Sequence, residues 1–329
     1  MTTRRRPGPP TGPSGPGSTS EAMRPNASGA IKFRGPMSRT GAYALLAVSI
    51  SSLAFAALFV RLSNAPAAVL AFYRLFLAWA GVGAAYGWMR ARGRMHASLR
   101  LPWKASAWAT LAGICLGFHY AVWFTSLEHT SVASSTMLVT LQPIFVVALS
   151  YAVWRERPSL AALMGLALAL AGSFLIVAGD ARISPTSLYG DLLALAAAFL
   201  ISLYVMIGRH LRRQDTGLAP YLFVVYGSGA AVLAAWSLAA GEPIHPYPAT
   251  EWIWFIALAA VPTLLGHTLL NGLLRVLPAS AVSVSVLGEP VGATALAAAF
   301  LEESVSLRQF AAAVCILVGI MAFLRATKE

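Results

Sequence analysis

The chain has 329 residues, of which 58% are hydrophobic and 11% charged, and its mean hydropathy is +0.69. Soluble domains carry about 25% charged residues, so this composition excludes an ordinary soluble fold and points to a membrane protein. The net charge of +12 does not signal nucleic-acid binding, because the Lys and Arg residues lie in an amino-terminal tail and between apolar runs, with no aromatic-and-basic motif beside them. Cys115 and Cys315 both fall inside apolar runs, which implies neither a disulfide framework nor a metal site. No cofactor is implied.

Residues 1–38 are rich in Pro, Gly, Ser and Arg and contain no apolar run. Such a segment cannot bury a core and is expected to be a disordered cytoplasmic tail. It also lacks the apolar stretch of a secretory signal. Its Asn26-Ala27-Ser28 sequon is therefore read as a chance match.

From Ala42 onward the chain holds ten apolar runs near the roughly 20 residues that a bilayer requires. They cover 42–62, 67–89, 105–126, 131–154, 160–178, 187–208, 219–240, 252–274, 279–300 and 307–325. The expected fold is an all-α integral membrane protein with ten transmembrane helices. With the amino terminus inside, 20 of the 24 Lys and Arg residues fall on the inner side. Three (Arg61, Arg182 and Arg308) fall outside, and Arg74 lies within span 2. The positive-inside rule then places both termini in the cytoplasm, as expected for a multi-pass protein of the cell (inner) membrane.

The two halves of the chain repeat each other. At an offset of 147, Pro143 meets Pro290, Glu156 meets Glu303, and Gly172 meets Gly319; at 148, Arg61 meets Arg209, His119 meets His267, and Trp123 meets Asn271. Each half has five spans, an odd number, so the second half enters the membrane upside down. The repeats are expected over 39–180 and 181–329. Inverted repeats whose helices break near the midplane are the sequence signature of a secondary transporter with its site between the repeats.

The breaks centre on Leu287-Gly288-Glu289-Pro290 and on Gln142-Pro143. An acidic side chain at mid-span costs roughly 2.5–3.5 kcal/mol, so Glu289 reads as functional by default. Pro290 deprives the Val286 carbonyl of its helical donor, which is tolerated where the break faces protein or a water-filled cavity. Pro143 and Pro290 are the expected kink points.

These strings, in their order and spacing, resemble the drug/metabolite transporter superfamily, and within it the EamA-type permeases. The resemblance covers about residues 40–325. It rests on Phe72-Tyr73-Arg74-Leu75-Phe76-Leu77-Ala78, Trp123-Phe124-Thr125-Ser126-Leu127, Leu287-Gly288-Glu289-Pro290-Val291, and Phe300-Leu301-Glu302-Glu303-Ser304-Val305-Ser306. It implies a ten-helix fold, alternating access and export of small metabolites such as amino acids. Gln142 departs from the pattern, since many relatives carry Glu there.

The candidate substrate-binding or cavity-lining residues are Glu289, Gln142, His119, Trp123, His267, Asn271, Arg74, Tyr73, Ser135 and Leu138. Glu289 suits a substrate ammonium or a coupling proton; the alternative is a carboxylate bonded to the backbone that Pro290 frees. Gln142 shares a helical face with Ser135 and Leu138 and lines a cavity or bonds another helix. His119 with Trp123, and His267 with Asn271, each project from one face, either onto the cavity or into packing. Arg74 either snorkels outward or meets a substrate carboxylate or Glu289. Tyr73, Trp79 and Tyr120 form either an aromatic wall or an interface belt. Glu156 and Glu303 are expected to serve turns, Ser306 with Gln309 a capping box, and Gly165, Ala169 and Gly172 close helix packing.

The expected partners are thus a small-molecule substrate, the lipid bilayer and a coupling proton as a candidate, with no nucleic acid. A channel or a non-transporting receptor is the alternative. An intramembrane protease would need Gly-x-Ser-Gly, whereas the nearest string is Tyr226-Gly227-Ser228-Gly229. The absence of a Walker-type loop argues against ATP-driven transport by this chain alone.

Overall fold

Helices account for most of the described residues between Arg39 and Ala326, because each apolar run must satisfy its own backbone before it can leave water. The computed structural model describes Thr2 and residues 38–93, 98–130, 132–177, 188–302 and 305–327. The expected tail, its sequon and Glu303 lie outside the described residues, apart from Thr2 and Ser38 in the tail.

In chain order the helices are α1 (Arg39–Leu62), α2 (Ala67–Ala91), α3 (Trp103–His129), α4 (Val132–Val139), α5 (Gln142–Trp154), α6 (Leu160–Val177), α7 (Leu188–Arg213) and α8 (Leu218–Ala239). Then come α9 (Ala249–Leu258), a π-helical stretch (Ala259–His267), α10 (Thr268–Leu273), α11 (Ala279–Val286), α12 (Glu289–Phe300) and α13 (Leu307–Ala326). Among the described residues, eight helical stretches are long and apolar enough to cross a membrane, two of them built from consecutive pieces. Two shorter apolar helices, Gln142–Trp154 and Leu160–Leu175, fall where the fourth and fifth spans are expected.

The helices start and stop for local reasons. Ser38 caps α1 by accepting from Gly41 N at 3.0 Å. Ser306 and Gln309 form the expected capping box on α13, with Gln309 N donating to Ser306 Oγ at 3.2 Å and Ser306 N to Gln309 Oε1 at 2.8 Å.

The proline breaks differ from simple kinks. The expected fourth span is two helices, separated by turn residues Thr140 and Leu141, and the ninth is likewise divided at Leu287 and Gly288. Pro143 and Pro290 therefore sit in the first turn of α5 and of α12, where a missing N–H costs nothing. Ser135 and Leu138 belong to α4 and Gln142 to α5, so the single helical face expected of these three is interrupted at the break.

Packing is pairwise and tight where residues are small. Helix α6 packs on α13, α3 on α7 and α8, and α2 on α8. Helix α1 lies on the π-helical stretch and on α12; α4 and α5 lie on α7, and α5 also on α11. At the α6–α13 crossing the backbones touch: a Cβ on Gly319 would stand 2.5 Å from Ala169 N, and one on Gly165 2.6 Å from Phe323 N. The expected close packing by Gly165, Ala169 and Gly172 is present here, with Gly172 against Ala312 O.

Any side chain at position 319 must part this crossing. Gly319→Val is expected to cost about 1–3 kcal/mol, read as a lower melting temperature in detergent, since the facing atoms are backbone.

Candidate functional site

The breaks place two polar side chains at equivalent points, Gln142 opening α5 and Glu289 opening α12. Gln142 is buried, donates from Nε2 to Ser283 Oγ at 3.4 Å, and has its carbonyl bonded by Ser202 Oγ at 3.2 Å. Glu289 is half-buried and does not cap its helix. Its carboxylate has no hydrogen-bond partner among the described residues, which removes the reading in which it satisfies backbone freed by Pro290.

Arg74 is buried rather than snorkelling. Its Nε donates to Thr263 Oγ1 at 2.8 Å, and its guanidinium lies 5.2 Å from the centroid of the Tyr120 ring. Thr263 belongs to the π-helical stretch, which also carries Pro262 and ends on His267. Such stretches are rare and often mark functional positions. Arg74 is within electrostatic range of Glu289, His119 and His267, and Tyr120 is within range of Glu289. Among the described residues its charge has no carboxylate at ion-pair distance. Ion pairs are found elsewhere, Arg209 with Glu156 and Arg275 with Asp215 at 2.5 Å among them.

The other expected residues divide into two groups. His119 is buried, meets Ala197 O through Nδ1 at 2.9 Å, and stacks on Trp123 with ring centroids 6.1 Å apart. The Trp123 Nε1 donor is buried without a partner. His267 is half-buried and within electrostatic range of His119 and Arg74.

Asn271 is turned into the protein instead. Its Nδ2 donates to Tyr204 OH at 2.5 Å and to His267 O at 2.7 Å, while Oδ1 is buried without a partner. Ser135 is buried against Ser126 at 2.5 Å, and Leu138 is half-buried. Tyr73 stands apart from the central group, its OH bonded to Ile244 O at 2.8 Å and its ring stacked on Phe255. Of the three aromatic candidates, Tyr120 is the one that meets Arg74.

Sequence reasoning missed Thr263 and Ser283. Ser283 lies 147 residues after Thr136, a hydroxyl in the same place of the other half, and that offset could have found it.

A family model described as the EamA-like transporter family matches the chain twice, over residues 39–178 and 188–325. The chain belongs to the EamA-like transporter family. It is therefore a multi-pass membrane transporter. The chain is 23% identical over 217 residues to an uncharacterized transporter of Archaeoglobus fulgidus, covering 64% of this chain and 75% of that one. It is 25% identical over 224 residues to the uncharacterized transporter YwfM of Bacillus subtilis, covering 67% and 73%. A protein of known crystal structure superposes with a TM-score of 0.73 at 25% identity, covering 88% of this chain and 99% of that one.

Two features at the ends of this EamA-family fold bear on stability. At one end Arg209, 1% exposed, pairs with Glu156 and stacks on Trp154 with its guanidinium 4.2 Å from the ring centroid. Glu156 thus does more than serve a turn. Removing one partner of such a pair strands a buried charge, so Glu156→Ala is expected to cost about 3–5 kcal/mol, measured by thermal or denaturant unfolding.

At the other end a cavity of about 370 Å³ is lined by Glu128 and Glu242 with Phe124, Thr125 and Trp236. Burial, and then the charge of Glu128, pushes the Glu242 carboxyl above its ordinary range, and its Oε2 has no partner. A carboxyl raised in the folded state favours folding at low pH and loses that contribution as pH rises through the folded value. Glu242→Gln is accordingly expected to raise the melting temperature at about pH 8 and leave it unchanged at about pH 4.

Proposed function

We propose that this transporter is a secondary carrier that exports a small polar or zwitterionic metabolite, amino acids among the candidates, by alternating access. It would do so with ten spans arranged as two inverted five-helix repeats over 39–180 and 181–329, with both termini in the cytoplasm and the chain in the inner membrane. The observation that carries this reading is the partnerless Glu289 carboxylate at the break before α12, within electrostatic range of Arg74. A carboxylate and a guanidinium that do not neutralise each other directly can take the ammonium and the carboxylate of one zwitterion. Each would form a charge-assisted hydrogen bond.

Several observations support the inverted repeat. The breaks at 140–141 and 287–288 differ by 147 residues, the offset of the sequence repeat. The left-handed residues Arg155 (φ 56) and Glu302 (φ 55), which follow α5 and α12, differ by the same number. The packing pairs also exchange into one another: α3 with α7 maps to the π-helical stretch with α1, α3 with α8 maps to that stretch with α2, and α6 with α13 maps onto itself. The family model matches each half separately.

In this carrier Arg74 and Glu289 hold the solute's charges, Tyr120 and the His119–Trp123 stack wall the site, and His267 faces it from the second half. Glu289 also supplies a group that could exchange a coupling proton for the solute's ammonium.

Three measurements test the reading. Glu289→Gln is expected to lower transport about tenfold or more while leaving a monodisperse, folded protein, since an ionic hydrogen bond to the solute is lost; unchanged transport would remove Glu289 from the mechanism. Counterflow in proteoliposomes should saturate, where single-channel currents would favour a pore instead. Reporter fusions after Glu329 and near Pro243 should report opposite sides, the first cytoplasmic.

A further inference from the structure

The two breaks are equivalent in sequence but not in packing. At one break α5 and α11 lie against each other, with Gln142, Pro143, Val146 and Ser150 buried on α5 and six of the eight residues of α11 buried. The contact seals the path beside the breaks, and a cavity of about 280 Å³ lined by Val147, Ser150, Pro278, Ser280 and Ala326 lies beyond it, at the end where α13 finishes. The repeat maps that contact onto one between α12 and α4. Those two helices make no comparable contact among the described residues, and no residue of α12 is buried. Beside the breaks the structure is thus packed together on the side toward the chain termini and not between α4 and α12 on the opposite side.

The residues of the closed contact have counterparts. Gln142 corresponds to Glu289 and Ser283 to Thr136, both at the offset of 147. The bond that closes this structure, from Gln142 Nε2 to Ser283 Oγ, therefore has a mirror partner whose two groups lie on separated helices here. Thr136 is half-buried on α4, one turn before the break, and its hydroxyl can donate where its counterpart Ser283 accepts, so the mirror bond runs in the reverse direction. The mirror bond would end on a carboxylate.

We infer that in the opposite-facing state Thr136 Oγ1 donates a hydrogen bond to the Glu289 carboxylate, latching α4 to α12 as the Gln142–Ser283 bond latches α5 to α11 in this structure. The inference rests on the inverted-repeat carrier reading and gives Thr136 a role in it. Glu289 then has two alternative partners, the solute's ammonium when the open end faces water and the Thr136 hydroxyl when that end is shut. Because the two partners compete for one carboxylate, release of the solute and closure of the end it left by are coupled at a single group.

Paired cysteines test this without knowledge of the solute. In a Cys115→Ala, Cys315→Ala background, Q142C/S283C and T136C/E289C are reconstituted separately and oxidised with copper phenanthroline, each variant first checked for a monodisperse elution profile. Q142C/S283C is expected to link quickly. T136C/E289C is expected to link more slowly yet to completion, because an irreversible link accumulates a minor state. In a second measurement, S283C alone is labelled with a membrane-impermeant maleimide added on the side of the chain termini. Thr136→Val is expected to slow that labelling about tenfold or more, the loss of one hydrogen bond to a charged acceptor, and Thr136→Ser to restore it. If S283C is labelled while T136C/E289C stays unlinked and Thr136→Val changes nothing, the latch is overturned and the carrier reading stands. If S283C is never labelled and the link never forms, alternating access falls and the latch falls with it.

Discussion

A backbone that leaves the helical pattern in a hydrocarbon setting must find partners for the groups it frees, and this protein meets that demand in two equivalent places. Leu141 N reaches Leu138 O at 3.2 Å, and Gly288 N reaches Ser285 O at 3.0 Å, so each break closes one tight turn before the next helix begins. Each proline follows in that new helix's first turn, where it forfeits no bond. The residue before each proline is thereby held at the start of a helix. Gln142 and Glu289 owe their positions to this arrangement, and with them the polar centre of the molecule.

Around that centre the charges are kept apart by geometry. Arg74 is tied at Nε to Thr263 and lies over Tyr120, which fixes its direction without neutralising it. Glu289 keeps its carboxylate unbonded. By contrast Arg209, also buried, is paired through both terminal nitrogens with Glu156 and lies over Trp154 at the end of its helix. Arg212, beside it, bonds Asn271 O at 3.3 Å and Thr216 O. The protein thus contains buried arginines of two kinds. Those that brace helix ends have partners, and the one at the centre retains a guanidinium with no carboxylate bonded to it.

Much of this was legible in the chain itself. The apolar runs located the helices, Ser306 with Gln309 announced a cap, Gly165, Ala169 and Gly172 announced a close crossing, and Gln142-Pro143 with Glu289-Pro290 announced the breaks. Other features were not legible, for physical reasons. Whether a proline kinks a helix or starts a new one depends on whether nearby backbone groups can close a turn, which composition does not reveal. The π-helical stretch at Ala259–His267 has no periodicity distinct from an apolar helix, although Pro262 within it was a visible warning. Tyr73 and Tyr120 looked alike as aromatic candidates. Burial in a cluster with Phe255 and Trp252 separated the first from the second, and such clusters form between helices far apart in sequence. The asymmetry between the two breaks likewise lies in how the helices pack on one another, which a repeated sequence does not encode.

The α6–α13 seam has a consequence for engineering. Its contact runs backbone to backbone through Gly165, Ala169 and Gly319, so no side chain there is available to read a solute or to be varied. Diversity introduced along that line would be wasted on misfolded clones. A mutagenic library is better confined to the surroundings of Arg74, Tyr120, Thr263 and Glu289, where side chains rather than peptide groups meet.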